Sequence, residues 1–461
     1  MSQGINPRDL AKDRLTTTDA EGRRLHVYAQ SVTGFYRNRR SLVQAVLVLV
    51  FLALPWWKIN GQQAILLDVI HRRFTLFGIQ FWAHDAPMLA FVAGAAVLSI
   101  AFITALFGRV WCGWACPQTV FIDGIFLRIE RLIEGDAVKR RAFDARPLDI
   151  DKALLKAAKW SLFTLVALVI SHSFLGYFVG VERLAEIVRR PPAENIGLFA
   201  VMAGITGLLL FDFGWFREQF CTVVCPYGRF QSLLLDSHSL VIAYDAKRPD
   251  CVDCFRCVQV CPTGIDIRRG VQLECIACTA CIDACDDVMT RLRLPPRLIK
   301  YASEESIQGR KTKFLRARTV VYFGLLVMIV TALTAVVGSR RDLELFVARA
   351  AGAPYQEIAA AGTDGAGTKI VNRFRSEVTN RTFRPVVVTF TQGQEVVAGA
   401  NIVLATQKLE LAAGETRTVD LFVEFPKAEL SEGKRKFQLT VTSDSELTKN
   451  TEEVMLVGPY R

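Results

Sequence analysis

Long apolar runs alternate with charged segments along most of the chain. Five of these runs are long enough to cross the hydrocarbon core of a bilayer, which takes about 20 helical residues. They cover residues 41–57, 86–107, 160–181, 196–216 and 319–338. The first run ends in Pro55, Trp56 and Trp57, and aromatic residues favour the membrane–water interface. The pattern therefore predicts a five-helix transmembrane bundle.

The segments between the apolar runs differ in character. The predicted organisation is a tail at 1–41, spans 1 and 2 at 42–107, a charged loop at 108–159, spans 3 and 4 at 160–216, a cysteine-rich segment at 217–318, span 5 at 319–338 and a further domain at 339–461. Within the charged loop we expect a helix near residues 120–132. Residues 58–85 are amphipathic and carry His71 and His84, which predicts an interfacial segment on the opposite side of the membrane.

The C-terminal domain has a different periodicity. Short segments such as residues 385–390 and 418–425 alternate or are rich in β-branched residues, and Gly, Asn and Asp separate them. This pattern predicts an antiparallel, immunoglobulin-like β-sandwich. Residues 339–461 contain no cysteine, so the sandwich is not of the disulfide-bonded immunoglobulin type, and we expect a docking module.

Composition and charge indicate a membrane protein and give its orientation. Of the 461 residues 51% are hydrophobic, and the formal net charge is +11. Lys and Arg cluster beside the apolar runs, with 34 in the tail, the 108–159 loop and the 217–318 segment against six in the two opposite loops. Positive residues stay in the cytosol. We therefore expect a multi-pass protein of the bacterial inner membrane, with cytosolic cysteines, a periplasmic C-terminal domain, and membrane lipid rather than nucleic acid as a partner.

Eight of the twelve cysteines form two copies of the spacing Cys-x2-Cys-x2-Cys-x3-Cys, over residues 251–261 and 275–285. Bacterial ferredoxins have this spacing, and the fourth cysteine of each run binds the other cluster. We therefore expect two 4Fe–4S clusters in a ferredoxin-like α+β module at about 242–295. The first cluster is assigned to Cys251, Cys254, Cys257 and Cys285, and the second to Cys275, Cys278, Cys281 and Cys261.

Two other uses of these eight cysteines fit the sequence less well. Zinc sites commonly take four ligands as two pairs, whereas this sequence has two identical quartets. Disulfides need an oxidising compartment, whereas the charge pattern places these cysteines in the cytosol. The second run departs from the ferredoxin pattern at Asp286, which stands in place of the usual proline. This change loosens a turn and removes no ligand.

The other four cysteines form a second system at the ends of two apolar runs. Cys112 and Cys116 follow span 2, Cys221 and Cys225 follow span 4, and each pair reads Cys-x3-Cys-Pro. An i, i+4 spacing would place both thiols of a pair on one helix face, and the internal repeat would bring four sulfurs together. Soft thiolates select Cu(I), zinc or an additional iron–sulfur centre. The alternatives are disulfide exchange or plain packing at helix ends.

Other candidate residues carry weaker signals. His172 lies within span 3 and Asp212 near the end of span 4, and ionisable residues at membrane depth indicate function by default. Packing against a neighbour such as Ser171 explains His172 equally well. The sequence contains no phosphate loop, dinucleotide fingerprint or hydrolytic triad.

These motifs together resemble one family. Trp111-Cys112-Gly-Trp-Ala-Cys116-Pro117, Cys225-Pro226-Tyr-Gly-Arg-Phe-Gln, the ferredoxin pair and the C-terminal β-domain are similar to the cytochrome c oxidase accessory proteins of the CcoG/FixG/RdxA type. The resemblance implies reduction of Cu(II) to Cu(I) during assembly of a cbb-type oxidase. It also implies oxidase assembly factors and a copper transporter or chaperone as partners.

From the cysteine motifs and the family resemblance together, we expect an oxidoreductase of the cupric reductase type. Its electrons would pass from an unidentified donor through two clusters to copper. Copper is then the substrate, and Cys112, Cys116, Cys221 and Cys225 form its site. One alternative is a quinol-linked electron-transfer subunit that serves a partner reductase. Another is a non-catalytic assembly scaffold whose clusters only stabilise the fold.

Overall fold

The computed structural model describes residues 25–59, 61–70, 73–81, 86–339, 341–359, 368–382, 384–394, 396–404, 408–444 and 449–460. The chain divides into two compact units, one within residues 1–59 and 63–333 and the other within residues 60–62 and 334–461. His71 and His84, which the sequence places in the interfacial segment, lie outside the described residues.

The first unit is mainly helical. Its helices are α1 Phe35–Ala53, α2 Ala86–Phe107, α3 Val110–Trp114, α4 Pro117–Phe121, α5 Leu127–Glu134, α6 Ala137–Ala145, α7 Ile150–Val179, α8 Val181–Val188, α9 Ile196–Leu209, α10 Pro226–Leu234, α11 Arg256–Gln259, α12 Ala280–Arg291, α13 Glu304–Ile307 and α14 Ala317–Gly338. π-Helical turns at Ile122–Phe126, Leu210–Phe216 and Phe220–Val224 connect some of these helices.

Six stretches of helix in the described residues are long and apolar enough to cross a membrane. Five agree with the predicted spans, although α7 begins ten residues earlier than expected because Asp149 caps it by accepting a hydrogen bond from the Lys152 N–H (2.7 Å). The sixth is Val110–Glu134, which the sequence places in the charged loop. The chain is therefore a multi-pass membrane protein with one more candidate span than expected.

The interfacial segment contains strands that the sequence did not reveal. They are β1 Lys58–Ile59, β2 Gln62–Gln63, β3 Ile65–Asp68, β4 Arg73–Leu76 and β5 Ile79–Phe81. Strands β3, β4 and β5 form an antiparallel sheet. With two to four residues each, these strands are too short for alternation of polar and apolar residues to show.

The cysteine-rich segment has the α+β composition that was predicted. Strand β6 Val241–Tyr244 pairs antiparallel with β7 Ile299–Ala302, and helices α11 and α12 lie between them in the chain. The core of this module includes Ile242, Ile282 and Ile299, which are 1–2% exposed. The pairing closes the module at its two ends, so that the cysteines lie inside one small domain.

The second unit is an antiparallel β-sandwich. Its strands are β8 Leu343–Arg349, β9 Gln356–Ala359, β10 Thr368–Asn380, β11 Val386–Gln392, β12 Asn401–Leu404, β13 Lys408–Leu411, β14 Thr416–Pro426, β15 Lys434–Ser443 and β16 Lys449–Val457. One sheet has the order β12-β14-β10-β8, with β9 also paired to β10, and the other has the order β13-β11-β15-β16. Inward side chains such as Phe374, Phe425 and Phe437 are 0–2% exposed, because alternate residues of each strand face the core.

Candidate redox site

The two ferredoxin cysteine runs fold into loops with the same backbone conformation. In the first run Asp253 and Phe255, on either side of Cys254, have φ of 51° and 55°. In the second run the equivalent residues Ala277 and Thr279 have φ of 54° and 66°. Left-handed residues curl each loop tightly. Three cysteines of each run therefore project into a common space.

Each quartet assigned from the spacing lines its own cavity. Cys251, Cys254, Cys257 and Cys285 line one cavity. Cys261, Cys275, Cys278 and Cys281 line a second cavity, to which Cys257 also contributes. In both cavities three cysteines come from one run and the fourth from the other, which is the crossed arrangement of ferredoxins. The residues present therefore fit two cubane clusters.

Burial changes the acidity of these thiols. It is the main cause that raises the pKa of Cys257 and of Cys275 to about 12. Such thiols alone stay protonated at neutral pH, whereas iron binds the thiolate. Loading with iron would therefore release protons, and the bound cations would supply the positive charge that holds the sulfurs ionised.

The Cys-x3-Cys pairs do not share a helix face, and that expectation is wrong. Cys112 lies in the five-residue helix α3, whereas Cys116 is the N-cap of α4, with an extended ψ of 127°. Cys221 lies in a π-helical turn, and Cys225 is the N-cap of α10 with ψ of 111°. A proline directly follows each N-cap cysteine, and the residue before proline disfavours helical ψ. Each pair therefore straddles a helix break.

The four cysteines nevertheless come together from the two repeats. Burial raises the pKa of the Cys221 thiol, and Cys116, Cys112 and Cys225 are all near enough to raise it further. The Cys112 thiol donates to Oε1 of the buried Gln231 (3.4 Å). Among the described residues, no group of three or more Cys, His, Asp or Glu side chains converges on a single ion.

The four-cysteine group lies directly against the loop of the second quartet. Cys112 and Cys221 pack on a buried cluster that contains Cys278 and Ile276. A cavity is lined by both Cys221 and Cys278. The two cysteine systems are therefore adjacent, since they share one packed cluster and line one cavity.

Gly113 allows this close approach. A Cβ atom at this position would lie 2.5 Å from the Ile276 carbonyl oxygen and 2.6 Å from that of Ala277. Arg40 Nε donates to the Gly113 carbonyl (2.6 Å), and the Arg109 guanidinium donates to the Leu273 carbonyl. These contacts fix the first Cys-x3-Cys motif on the ferredoxin loop. Sequence reasoning missed them, although a glycine between two cysteines was a visible signal for backbone approach.

Replacing Gly113 by alanine is expected to destabilise this contact by about 1–3 kcal/mol, as overpacking does in other cores. The carbonyls of Ile276 and Ala277 belong to the loop of the second quartet, so we expect its EPR signal to shift. The matched control is Gly207→Ala, because a Cβ there meets nothing within 4 Å. Equal unfolding midpoints and equal spectra for the two variants would contradict the close contact.

A buried ionic cluster supports the base of the site. Glu130 binds the Arg217 guanidinium through two hydrogen bonds (2.8 and 3.0 Å), and it also pairs with Arg140 and Lys159. Closer to the cysteines, the buried Asp123 pairs with Arg37 and Arg40. The sequence did not single out these carboxylates. The sequence feature that could have identified these carboxylates is the presence of acidic residues in a stretch apolar enough to span a membrane.

The two ionisable membrane candidates have local partners. The Nδ1 atom of His172 lies 2.7 Å from the Leu168 carbonyl one turn earlier. Asp212 accepts a hydrogen bond from Gln118 Nε2 (2.9 Å), and Gln118 is two residues after Cys116. Asp212 therefore lies beside the helix that Cys116 caps, whereas His172 remains a prediction without a contact to the cysteines.

Three family models match the chain. A 4Fe-4S dicluster domain matches residues 216–250 and 246–304, and a 4Fe-4S binding domain matches residues 89–134. The IG-like fold at the C-terminus of FixG matches residues 333–459. The cysteine-rich segment is therefore an iron–sulfur binding region, and the second unit has an immunoglobulin-like fold.

Three relatives extend this likeness. Protein RdxA of Cereibacter sphaeroides is 35% identical over 60% of this chain and 62% of its own length. Nitrogen fixation protein FixG of Rhizobium meliloti is 36% identical over 61% of this chain and 58% of its own length. Protein RdxB of C. sphaeroides is 33% identical over 72% of this chain and 74% of its own length. The matches to RdxA and FixG thus span less than two thirds of those proteins.

Proposed function

Because the chain belongs to the FixG/RdxA family of membrane ferredoxin-type proteins, we propose that it is a membrane electron-transfer protein that reduces Cu(II) to Cu(I). One electron from a donor passes through the two ferredoxin quartets to copper at the four-cysteine group. The reduced copper is delivered during assembly of a cbb-type cytochrome c oxidase. Oxidase assembly factors and a copper transporter or chaperone are its proposed partners.

The observation that carries this proposal is the packing of Cys112 and Cys221 against the loop of Cys278. A thiol group packed against the loop of a cluster ligand can receive an electron over a short path. Thiolates also favour Cu(I) over harder cations, so binding at the sulfurs favours the reduced product. We therefore assign copper to the sulfurs of the four-cysteine group.

We propose that the chain crosses the membrane five times and that Val110–Glu134 lies along the membrane surface. At one end of this stretch, Arg109 donates to the Leu273 carbonyl of the ferredoxin module. At the other end, Glu134 pairs with Lys159 (2.7 Å) and Glu130 with Arg217. Arg217 is where the ferredoxin segment begins. Both ends therefore contact the same side, whereas the ends of a span lie about 30 Å apart.

Five crossings predict opposite sides for the two soluble regions. An alkaline phosphatase fusion after Arg461 should be active, because the enzyme needs the periplasm, and a fusion after Arg297 should be inactive. The excess of Lys and Arg on the ferredoxin side sets this orientation. The reverse pattern, activity after Arg297 and none after Arg461, would indicate six crossings or the opposite orientation, and the ferredoxin cysteines would then not be cytosolic.

Copper titration tests the function. Protein with reduced clusters is mixed anaerobically with Cu(II), and Cu(I) is followed with a Cu(I)-specific chelator. We expect one Cu(I) for each electron withdrawn from the clusters. A quinol-linked subunit would instead be reduced by quinol and leave Cu(II) unchanged, and a scaffold would react with neither.

A further inference from the structure

The two ferredoxin quartets differ in their access to solvent. Cys254 is exposed and Cys251 is partly exposed, and Val252 between them is 49% exposed. In the second quartet Cys278 is buried and packs towards the four-cysteine group. The first quartet therefore has an open edge, which we call the donor face and define by Val252, Cys254, Lys247, Arg293 and Arg297.

The cations of the donor face surround the exposed loop. Arg248 donates to the carbonyls of Pro295 (2.5 Å) and Pro296 (2.9 Å), which brings residues 247–250 beside residues 293–297. The Arg297 backbone N–H donates to Asp286 (2.6 Å), next to the ligand Cys285. Lys247, Arg293 and Arg297 are all exposed.

Four of the carboxylates around this edge are paired with cations, and a fifth, Asp286, accepts only the Arg297 backbone N–H among the described donors. Asp250 pairs with Arg248, Asp253 with Arg268, and Asp287 with Arg291. Asp245 pairs with Lys300. In the described part of the chain, the side chains of Lys247, Arg293 and Arg297 form no ion pair. The donor face thus presents a net positive charge, three cations without an ion pair among the described residues against the one carboxylate of Asp286, around an apolar residue and a cluster ligand.

We propose that a small acidic ferredoxin docks on the donor face and delivers one electron there. Positive charge steers an acidic partner and speeds its association, and weak redox encounters need only a small contact area. The donor ferredoxin loses one electron, and Cu(II) gains it to become Cu(I), so that no proton or further reductant is needed. The direction of flow rests on the proposed function, whereas the docking itself does not.

Binding and reduction are tested with the cluster-loaded full chain and a purified acidic two-cluster bacterial ferredoxin. The variant Lys247→Glu, Arg293→Glu, Arg297→Glu is compared with Lys408→Glu, Lys434→Glu, Arg435→Glu, which changes the same charge on exposed residues of the second unit. We expect the first variant to weaken the Kd for labelled ferredoxin at least about tenfold and to slow cluster reduction, measured by rapid-freeze EPR. The second variant should match the wild type.

The result that would overturn the proposal is equal binding and equal reduction by both variants. Salt dependence gives a measurement that needs no variant: wild-type affinity should fall as ionic strength rises, and an affinity independent of salt would also overturn it. Copper is absent from the binding and cluster-reduction assays, so these assays test the docking alone. Cu(II) is added afterwards in a separate step. If ferredoxin binds and reduces the clusters but the added Cu(II) is not reduced, the proposed function fails and the docking stands.

Discussion

Replacing Cys112 and Cys116 together by serine is expected to lower the rate of Cu(II) reduction per cluster at least about tenfold, a loss of about 1.4 kcal/mol in transition-state stabilisation. Serine hydroxyls are harder ligands than thiolates and bind Cu(I) weakly. The eight cysteines that line the two cluster cavities are elsewhere, so iron content should stay near eight atoms per chain. The measurement is the Cu(I) formation rate divided by cluster content.

The matched control is Ala115→Ser, which adds a hydroxyl between the two cysteines and removes no sulfur. It should reduce Cu(II) at the wild-type rate. An unchanged rate in the double serine variant would refute the copper site and leave the ferredoxin module as assigned. About twelve iron atoms in the wild type, falling to eight in the variant, would show instead that the four-cysteine group holds a third cluster.

Glu130→Ala is expected to cost the first unit about 3–5 kcal/mol of stability, as removal of one partner from a buried ion pair does elsewhere. Glu130 and Arg217 are only 5% and 3% exposed in their side chains. The substitution would leave the buried positive charges of Arg217 and Arg140 uncompensated, whereas Lys159 would keep its pair with Glu134. Thermal unfolding in detergent, followed by circular dichroism, would report a lower midpoint.

Glu182→Ala provides the comparison for that result. Glu182 also pairs with a lysine, Lys58, but the two side chains are 76% and 48% exposed. Exposed pairs contribute about 0–1 kcal/mol, so this variant should unfold close to the wild type. Similar losses for Glu130→Ala and Glu182→Ala would mean that burial does not determine the strength of these pairs here.

The cluster cavities could be predicted from the sequence because the ligand spacing itself determines the geometry. Two runs of the same spacing predict a partition of Cys251 to Cys285 into two crossed quartets. The members of each quartet line one cavity, and the ligation itself stays a prediction. The β-sandwich was equally readable, since alternation along strands such as Thr416–Pro426 is a local property. Hydropathy located five of the six helical stretches that could span a membrane.

Long-range contacts could not be predicted in the same way. Glu130 and Arg217 are 87 positions apart, and no local pattern pairs them. The i, i+4 argument for Cys112 and Cys116 assumed one continuous helix and neglected the effect of Pro117 on the residue before it. The docking of Gly113 on Ile276 depends on tertiary packing of two segments that the sequence shows only separately.

The position of the ferredoxin module between α9 and α14 has a consequence for biosynthesis. The ribosome synthesises Cys112 and Cys116 first, then Cys221 and Cys225 about a hundred residues later, and the Cys275–Cys281 loop after both pairs. The first thiol pair must therefore remain reduced on the nascent chain until its partners leave the ribosome. The module is also tethered to the membrane at both ends once α14 inserts. Any iron–sulfur cluster must then be assembled at the bilayer surface, on a module that cannot diffuse away.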